Sequence, residues 1–188
     1  MEDVVRFRGL LEAANGRTNL VGSASLAEFW TRHFLDSAQL IALAPQARLW
    51  ADLGSGAGFP GLVLAILLAD RPGVRIHLVD SRRLRCEFLA DVVAALDLPA
   101  QVHLGRAEAT PLCVEVVTAR ALAPLPRLLA LAEPSLKPGV RGLFLKGAEV
   151  DSELAEARKS WRFELTIHPS LSDPRGRILD LTELARVR

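Results

Sequence analysis

The spacing of apolar and polar residues divides the chain into a helical start and a longer part in which strands and helices alternate. Before residue 46, apolar side chains recur at helical spacing in two segments. The pair Asn15-Gly16 is expected to end the first helix, and the second is expected to begin near Ser25. Glu28 lies three residues after Ser25, which predicts a capping box there, and Pro45 follows the last apolar positions of this helix.

From residue 46 onward, short apolar runs alternate with amphipathic segments. The predicted strands span residues 49–53, 74–79, 101–104, 114–118, 142–145, 161–167 and 177–184, and the predicted helices span residues 60–68, 84–96, 125–132 and 149–159. Such alternation is typical of a doubly wound, mostly parallel sheet with helices on both faces. The last two strands are expected to form a hairpin, which makes one C-terminal strand antiparallel. We therefore expect a single α/β domain over residues 1–188, with N-terminal helices (1–45) and a Rossmann-like core (46–188).

The composition places few limits on function. The chain has 188 residues, of which 50% are hydrophobic and 24% charged, an ordinary globular balance. The apolar run Leu62–Ala69 is too short to cross a bilayer, and the start at Met1 lacks the features of a signal peptide. Cys86 and Cys113 cannot make a disulfide framework, and each lies in an apolar pattern. We expect both to be small core residues in a reducing cytoplasm.

Positive charge is local. The formal net charge is only +1, which does not by itself indicate a nucleic-acid-binding protein. Arginines nevertheless cluster after one predicted strand and near the C-terminal end. These clusters are Arg82, Arg83 and Arg85, and Arg175, Arg177, Arg186 and Arg188. Either cluster could be a solvated face, but beside a catalytic pocket it would attract RNA.

The most informative stretch is residues 52–61, with the sequence Asp-Leu-Gly-Ser-Gly-Ala-Gly-Phe-Pro-Gly. It follows the first predicted strand and opens a helix, a place where ligands bind in doubly wound sheets. Gly56, Gly58 and Gly61 match the dinucleotide pattern G-x-G-x-x-G, whereas the frame D-x-G-x-G that includes Gly54 looks like the S-adenosylmethionine loop of class I methyltransferases. We favour the second frame because Gly54 directly follows the strand, where the turn must begin. Pro60 also stiffens the middle of the first frame.

Asp80 ends the next predicted strand. In either frame it is a good ribose ligand, because paired hydroxyls donate to a carboxylate. Its alternative role is to cap the helix that follows.

Short motifs in a fixed order extend over nearly the whole chain. They are Asn19-Leu20-Val21, Arg32-His33-Phe34-Leu35-Asp36-Ser37, the loop 52–61, Leu78-Val79-Asp80-Ser81, Gly105-Arg106-Ala107-Glu108, Thr118-Ala119-Arg120-Ala121 and Leu145-Lys146-Gly147. The ordered set resembles the glucose-inhibited division protein B family, the bacterial 16S ribosomal RNA guanine-N7 methyltransferases. The chain departs from the family at Ala13-Ala14-Asn15-Gly16, where a Trp-Asn pair is usual, so the resemblance does not define the N-terminal helices.

The resemblance implies a class I, Rossmann-like methyltransferase that uses S-adenosylmethionine and modifies guanine N7 in 16S rRNA or the small ribosomal subunit. Phe59 would offer the cofactor apolar surface, and Ala107 with Glu108 would lie beside its adenine. Arg120 would pair with a carboxylate or an RNA phosphate. The expected cofactor-binding residues are Gly54, Gly56, Gly58, Phe59, Asp80, Ala107, Glu108 and Arg120.

Methylation at guanine N7 requires no general base, because this atom is an unprotonated acceptor. We therefore expect no catalytic side chain beyond positioning groups. The four histidines share no ligand spacing, so no metal is expected either. The target is expected to be a loop guanine, whose base can be splayed out. Two further hypotheses are a nicotinamide-dependent oxidoreductase using the shifted glycine frame and a non-catalytic cofactor-sensing or RNA-binding module.

Five residues are candidates for RNA contact or for structural support. His33 and Asp36 lie three apart on the predicted second helix and are expected to pair with each other, with RNA contact as the alternative. Lys146, Arg82 and Arg83 could meet phosphate or remain solvated. A monomer is expected, since no extended apolar surface pattern demands a partner.

Overall fold

In a computed structural model of the chain, which describes residues 1–18 and 20–187, seven strands form one sheet in the order β3-β2-β1-β4-β5-β7-β6. The strands are β1 (Leu49–Leu53), β2 (Arg75–Asp80), β3 (Ala100–Leu104), β4 (Val116–Arg120), β5 (Arg141–Lys146), β6 (Trp161–Pro169) and β7 (Arg177–Arg186). Strands β1 to β5 are parallel, and β7 is antiparallel to both of its neighbours. This confirms the predicted sheet and its C-terminal hairpin. Two residues named above, Asn19 and Arg188, lie outside the described part of the chain.

Helices precede and connect the strands. They are α1 (Glu2–Thr18), α2 (Ser23–Ala27), a π-helix (Phe29–Leu35), α3 (Asp36–Ala38), α4 (Leu40–Leu43), α5 (Gly61–Leu67), α6 (Arg83–Ala95), a 3-10 turn (Ala107–Ala109), α7 (Leu125–Ala132) and α8 (Val150–Ala157). Each connection between neighbouring parallel strands thus carries helical structure, as crossovers between parallel strands require.

The core lies on both faces of the sheet. Successive strand residues point to opposite faces, so Trp50 belongs to one apolar cluster and Ala51 to the other. The first cluster also buries Phe7 of α1 against α5 and α6, and the second buries the apolar residues of α7 and α8. The N-terminal helix is therefore packed onto the core of the sheet.

The structure corrects the predicted N-terminal helices. Helix α1 does not end at Asn15-Gly16 but continues to Thr18. The Asn15 side chain accepts from the backbone N–H of Val21 (2.8 Å) and donates to its carbonyl (2.9 Å), so it holds the chain that follows the helix. The predicted second helix is broken into α2, the π-helix, α3 and α4.

The predicted capping box at Ser25 and Glu28 is also wrong. Helix α2 has Gly22 as its N-cap residue, with no side-chain cap. The Ser25 hydroxyl instead contacts the His33 ring at 2.6 Å. The Ser25 hydroxyl, which the local pattern assigns to helix capping, is therefore used in a contact with the π-helix.

Of the two cysteines, Cys86 is buried as expected but Cys113 is exposed. Cys113 lies in irregular chain before β4, which begins at Val116.

Candidate functional site

The turn after β1 needs glycine at its first position for two reasons. Gly54 has φ +71°, in the left-handed region that favours glycine. A Cβ atom on Gly54 would also lie 2.5 Å from Cδ1 of Leu122. The backbone N–H groups of Gly54 and Ser55 both donate to the carbonyl of Val79, at 2.8 and 3.0 Å. The turn is therefore held tightly against the end of β2.

Asp52 supports this turn from beneath. Its side chain is 1% exposed, accepts from the Gly61 backbone N–H at 3.0 Å and accepts from the Thr118 hydroxyl at 3.2 Å. Burial raises the pKa of this carboxyl to about 6, against the opposing effect of the Gly61 hydrogen bond. Asp52 therefore joins β1 to the first turn of α5 and to β4, and it is too buried to meet a ligand.

Asp80 lies between the glycine loop and the start of α6. One carboxylate oxygen accepts from the Gly56 N–H at 3.0 Å, and the other accepts from the Arg82 N–H at 2.8 Å. Arg82 is the N-cap residue of α6, so the carboxylate holds the backbone where that helix begins, and its contact with a ribose stays a prediction. Arg85 lies 3.4 Å from the same carboxylate. Asp80 also lines a cleft at the carboxyl ends of the strands.

This cleft, the glycine cleft, has a volume of about 480 Å³. It brings together four of the predicted cofactor-binding residues and Arg82, one of the predicted RNA contacts. Its lining includes Gly54, Asp80, Arg82, Ala107, Glu108, Ala121, Leu122 and Arg127. The predicted contacts of Gly54, Asp80, Ala107 and Glu108 thus share one space, and the nearest charge to Glu108 is Arg106 at 3.8 Å.

Two glycines of the loop serve other purposes than lining the cleft. A Cβ atom on Gly58 would lie 2.3 Å from Leu62, so the absence of a side chain there lets the loop pack on α5. A Cβ atom on Gly56 would make only ordinary contacts, 3.7 Å from the Gly54 carbonyl oxygen and 3.9 Å from Arg85, and the Gly56 N–H donates to Asp80.

Phe59 lies apart from the cleft. Its ring is 3% exposed and lies 5.4 Å from Phe7, 5.9 Å from Phe29 and 4.5 Å from the His33 ring, with which it stacks. The N-terminal helices thus supply an aromatic cluster that buries this ring. The contact of Phe59 with the cofactor stays a prediction.

Arg120 at the end of β4 joins three of the predicted motifs. Its guanidinium donates to the Arg32 carbonyl (2.8 Å) and to Nδ1 of His33 (2.8 Å). It also lies 3.6 Å from Asp36 and 5.0 Å from the centre of the Phe59 ring. We call these five residues the Arg120 cluster. The Arg120 side chain is thus engaged outside the lining of the glycine cleft, and its contact with the cofactor stays a prediction.

The contacts of His33 settle its tautomer. A guanidinium can only donate, so Nδ1 of His33 must accept from Arg120. The ring proton therefore lies on Nε2, which donates to the Ser25 hydroxyl at 2.6 Å. Burial, helped by the charge of Arg120, lowers the pKa of His33 to about 4. His33 is neutral near pH 7, and both of its nitrogens are occupied.

The expected pair between His33 and Asp36 is not formed. Each binds Arg120 instead, because the guanidinium reaches both from the sheet. Asp36 also accepts from the hydroxyls of Ser172 (2.7 Å) and Ser170 (3.3 Å), at the tip of the C-terminal hairpin. The two residues therefore connect the N-terminal helices to distant parts of the chain.

A second, larger cavity of about 1080 Å³ is lined in part by four members of the Arg120 cluster, namely Arg32, His33, Asp36 and Arg120. The N-terminal segment, the loops after β4 and β5 and the β6–β7 hairpin form it. Its charged lining is balanced, with Arg32, Arg120, Lys146, Arg175 and Arg177 against Glu28, Asp36, Glu149, Glu153 and Asp173. We call it the large cavity.

The predicted RNA contacts have different surroundings. Lys146 is nearly buried, and its ammonium donates to the Ala123 carbonyl (3.0 Å) and pairs with Glu153 (2.5 Å), so it is not free for phosphate. Arg82 is exposed at the glycine cleft, whereas Arg83 is exposed on α6 outside both lining sets. Arg186 pairs with Glu133, away from the large cavity.

Sequence reasoning missed Ala121 and Leu122, which line both the glycine cleft and the large cavity. Their position directly after β4, at the ligand-binding edge of the sheet, is the signal that would have found them. It also missed Glu153, whose carboxylate accepts from the Leu125 N–H at 2.5 Å.

Within residues 1–18 and 20–187, no helix is long and apolar enough to cross a membrane. Over the same residues, no three metal-binding side chains come together as a group that could hold an ion.

The sheet order, the glycine turn after β1 and the acid that ends β2 define the class I, Rossmann-like methyltransferase fold. Solved structures agree. A SAM-dependent methyltransferase from Aquifex aeolicus has a TM-score of 0.60 at 15% identity, covering 79% of this chain and 89% of its own. Magnesium protoporphyrin IX methyltransferase from Synechocystis PCC 6803 has a TM-score of 0.58 at 13% identity, covering 93% and 96%.

The sequence relatives define the family. The family model for GidB, described as rRNA small subunit methyltransferase G, matches residues 1–177, and the chain belongs to this family. Proteins named ribosomal RNA small subunit methyltransferase G from Caulobacter vibrioides (57% identity, covering 100% of this chain and 87% of the relative) and Parvibaculum lavamentivorans (48%, covering 98% and 83%) are similar to it. The oxidoreductase hypothesis based on Gly56, Gly58 and Gly61 is therefore not supported.

Proposed function

We propose that this protein transfers a methyl group from S-adenosylmethionine to N7 of a guanine in the 16S rRNA of the small ribosomal subunit. One observation carries the proposal beyond the family match: the glycine cleft and the large cavity meet at Ala121 and Leu122. A methyl group can therefore pass from a ligand in one to a base in the other. The setting we propose is a cytoplasmic, monomeric, single-domain enzyme that needs no metal.

The residues of the glycine cleft fit the cofactor. Gly54 lines the cleft, and its backbone is the part of the loop that we expect to meet the methionine moiety. The Asp80 carboxylate has about four acceptor sites, of which Gly56, Arg82 and Arg85 take three, so it can accept from a ribose hydroxyl. Ala107 and Glu108 follow β3 and line the part of the cleft where we expect the purine to bind. When bound, S-adenosylmethionine supplies an electrophilic methyl group on its sulfonium sulfur.

The large cavity suits a nucleotide drawn out of its stack. Its volume of about 1080 Å³ exceeds what a base alone requires, so it also has space for adjoining sugar and phosphate. Arg32 and Arg175 lie in ion pairs with Glu28 (3.5 Å) and Asp173 (3.6 Å) whose members are largely exposed. Such pairs contribute little, so these arginines can turn to phosphate oxygens at small cost.

For this reaction the protein has to position the reacting atoms. Guanine N7 carries a lone pair and no proton, so the attack leaves no proton for a base to remove. His33, the histidine of the Arg120 cluster, uses both nitrogens in hydrogen bonds and has no free lone pair to accept one. Its contribution is to hold the N-terminal helices against β4, and the rate advantage comes from alignment of the reacting atoms.

The proposal is tested by binding and by transfer. Calorimetry should detect S-adenosylhomocysteine binding and no NADH binding. Labelled methyl from S-adenosylmethionine should then appear in 16S rRNA, offered free or in small subunits. NADH binding, or cofactor binding with no transfer to either RNA substrate, would contradict it.

A further inference from the structure

The glycine cleft and the large cavity meet along one short segment, Ala121 and Leu122, which we call the wall. Ala121 and Leu122 line both spaces. The Leu122 side chain rests on the main chain at Gly54, since a Cβ atom added there would lie 2.5 Å from its Cδ1 and 3.2 Å from its Cγ. Leu122 therefore covers the residue at which the turn of the glycine cleft begins.

The wall is held in an unusual backbone conformation. Ala121 has φ +53°, which is unfavourable for a residue with a side chain and persists only when its surroundings impose it. Those surroundings are polar anchors on the residues that follow. Lys146 donates to the Ala123 carbonyl, Glu153 accepts from the Leu125 N–H, and the two side chains pair with each other. The segment that carries Leu122 is thus fixed from the side of β5 and α8.

We propose that Leu122 is a positioning residue for methyl transfer, whose side chain forms the surface against which the target base is aligned with the end of the cofactor. The inference rests on the proposed function. Leu122 has no polar group, so it adds no hydrogen bond to either ligand. It excludes water from the boundary and limits how far the reacting atoms can move, and displacements of about 1 Å are enough to lower a rate substantially. Removing it should therefore lower the rate of transfer more than either affinity.

The position of the wall can be tested without measuring activity. In a Cys113→Ser background, which removes the exposed thiol, Leu122→Cys places a reactive group at the boundary. Its alkylation, followed by intact mass, should be slowed by S-adenosylhomocysteine and, separately, by 16S rRNA. Arg127→Cys, which lines only the glycine cleft, should be protected by S-adenosylhomocysteine alone, and Arg175→Cys, which lines only the large cavity, by RNA alone.

The outcomes separate the two claims. If both controls behave as stated but Leu122→Cys is protected by one ligand or by neither, the wall is wrong and the proposed function stands. If RNA fails to protect Arg175→Cys, the assignment of the large cavity to RNA is wrong, and the inference about Leu122 falls with it.

The rate is tested with Leu122→Ala, Leu122→Met and the matched control Leu67→Ala, at a partly exposed leucine at the far end of α5. Leu122→Ala should lower the single-turnover rate by about tenfold or more, while dissociation constants for S-adenosylhomocysteine and RNA stay within about threefold. Leu122→Met should recover most of the rate, and Leu67→Ala should match the wild type. If Leu122→Ala fails to fold, Leu122→Val is held to the same criteria. An unchanged rate, or weakened binding with an unchanged rate at saturation, overturns the proposal.

Discussion

At the scale of single residues, the glycine loop shows how one motif can carry several physical demands. A Cβ atom on Gly54 would collide with Leu122 and one on Gly58 with Leu62, whereas one on Gly56 would make only ordinary van der Waals contacts. Gly54 and Gly56 both have positive φ, so an alanine at either position strains the backbone. The two alanine variants therefore form a matched pair, because they share the backbone strain and differ in whether the new side chain collides with a neighbour.

We expect Gly54→Ala to weaken S-adenosylhomocysteine binding by about tenfold or more, because the new methyl group pushes the Leu122 side chain into the space of the cleft as well as straining the backbone. Gly56→Ala should show only the strain, about 1–2 kcal/mol of stability, with a smaller loss of affinity. Calorimetry and thermal melting measure the two effects. Equal losses of affinity in both variants would show that the space over Gly54 is unimportant.

Asp52 provides a test of stability against pH. Its pKa is raised from the ordinary aspartate value of 3.8, which applies to the unfolded chain, to about 6 in the folded protein, so the folded state holds the proton more tightly. The resulting stabilisation is complete below the unfolded pKa and is lost as the pH rises through about 6. Asp52→Asn keeps the side-chain shape and its hydrogen-bonding capacity towards Gly61 and Thr118 without a charge.

The Asn variant should therefore be more stable than the wild type at pH 8, by up to about 3 kcal/mol. The difference should shrink as the pH falls towards 4. Urea unfolding at several pH values gives the free energies of unfolding. A difference that does not change with pH would mean that the Asp52 carboxyl does not titrate as described.

His33 makes a prediction about the pH dependence of the reaction. Because its pKa is lowered to about 4, it stays neutral through the range in which an ordinary histidine titrates. The single-turnover rate at saturating RNA should be nearly flat from about pH 6 to about pH 8.5. His33→Asn should keep that flat profile, even with a lower rate. A rate that rises steeply with pH below neutrality, with the slope lost in His33→Asn, would indicate a general base and a protonated target atom.

At the scale of elements, the strands and the crossover helices could be predicted because they rest on local patterns. The period of the apolar residues and the glycines after β1 are features of neighbouring residues. The N-terminal helices could not be predicted in the same way. The local pattern assigns Ser25 to a cap and pairs His33 with Asp36, since nothing nearby in sequence reveals that Arg120 reaches both His33 and Asp36 from β4. The burial of Phe59 by the N-terminal helices is hidden from local patterns for the same reason.

The ion pair between Lys146 and Glu153 holds three elements of the site together, since it connects β5, α8 and the loop after β4. Glu153→Gln leaves a nearly buried ammonium without its partner, and we expect a loss of about 2–3 kcal/mol in the free energy of unfolding. Glu156→Gln on the same helix is the matched control, because Glu156 pairs with Lys159 where both side chains are largely exposed to solvent. The control should cost less than about 1 kcal/mol. Urea unfolding measures both free energies of unfolding. Similar losses in the two variants would show that the pair of Lys146 and Glu153 does not stabilise the site.

At the scale of the whole molecule, the site is assembled from segments that are distant in sequence. The N-terminal segment around Asp36 and the hairpin tip around Ser170 and Ser172 are joined by hydrogen bonds across more than a hundred residues of chain. Together with the loops after β4 and β5 they enclose the large cavity beside the glycine cleft. The sheet edge and its glycine turn were predictable, but this enclosure depends on long-range packing that no single motif reveals.

The central claim is that the two cavities act together to methylate guanine N7. The most direct measurement is to incubate the protein with S-adenosylmethionine and unmethylated small subunits or their 16S rRNA, and to map the product by mass spectrometry of nuclease fragments. N7 methylation is then distinguished from other sites by strand cleavage after reduction and aniline treatment. The account predicts one methyl group on one loop guanine, with cleavage at that nucleotide. A methyl group on another atom, or on scattered nucleotides, would contradict it.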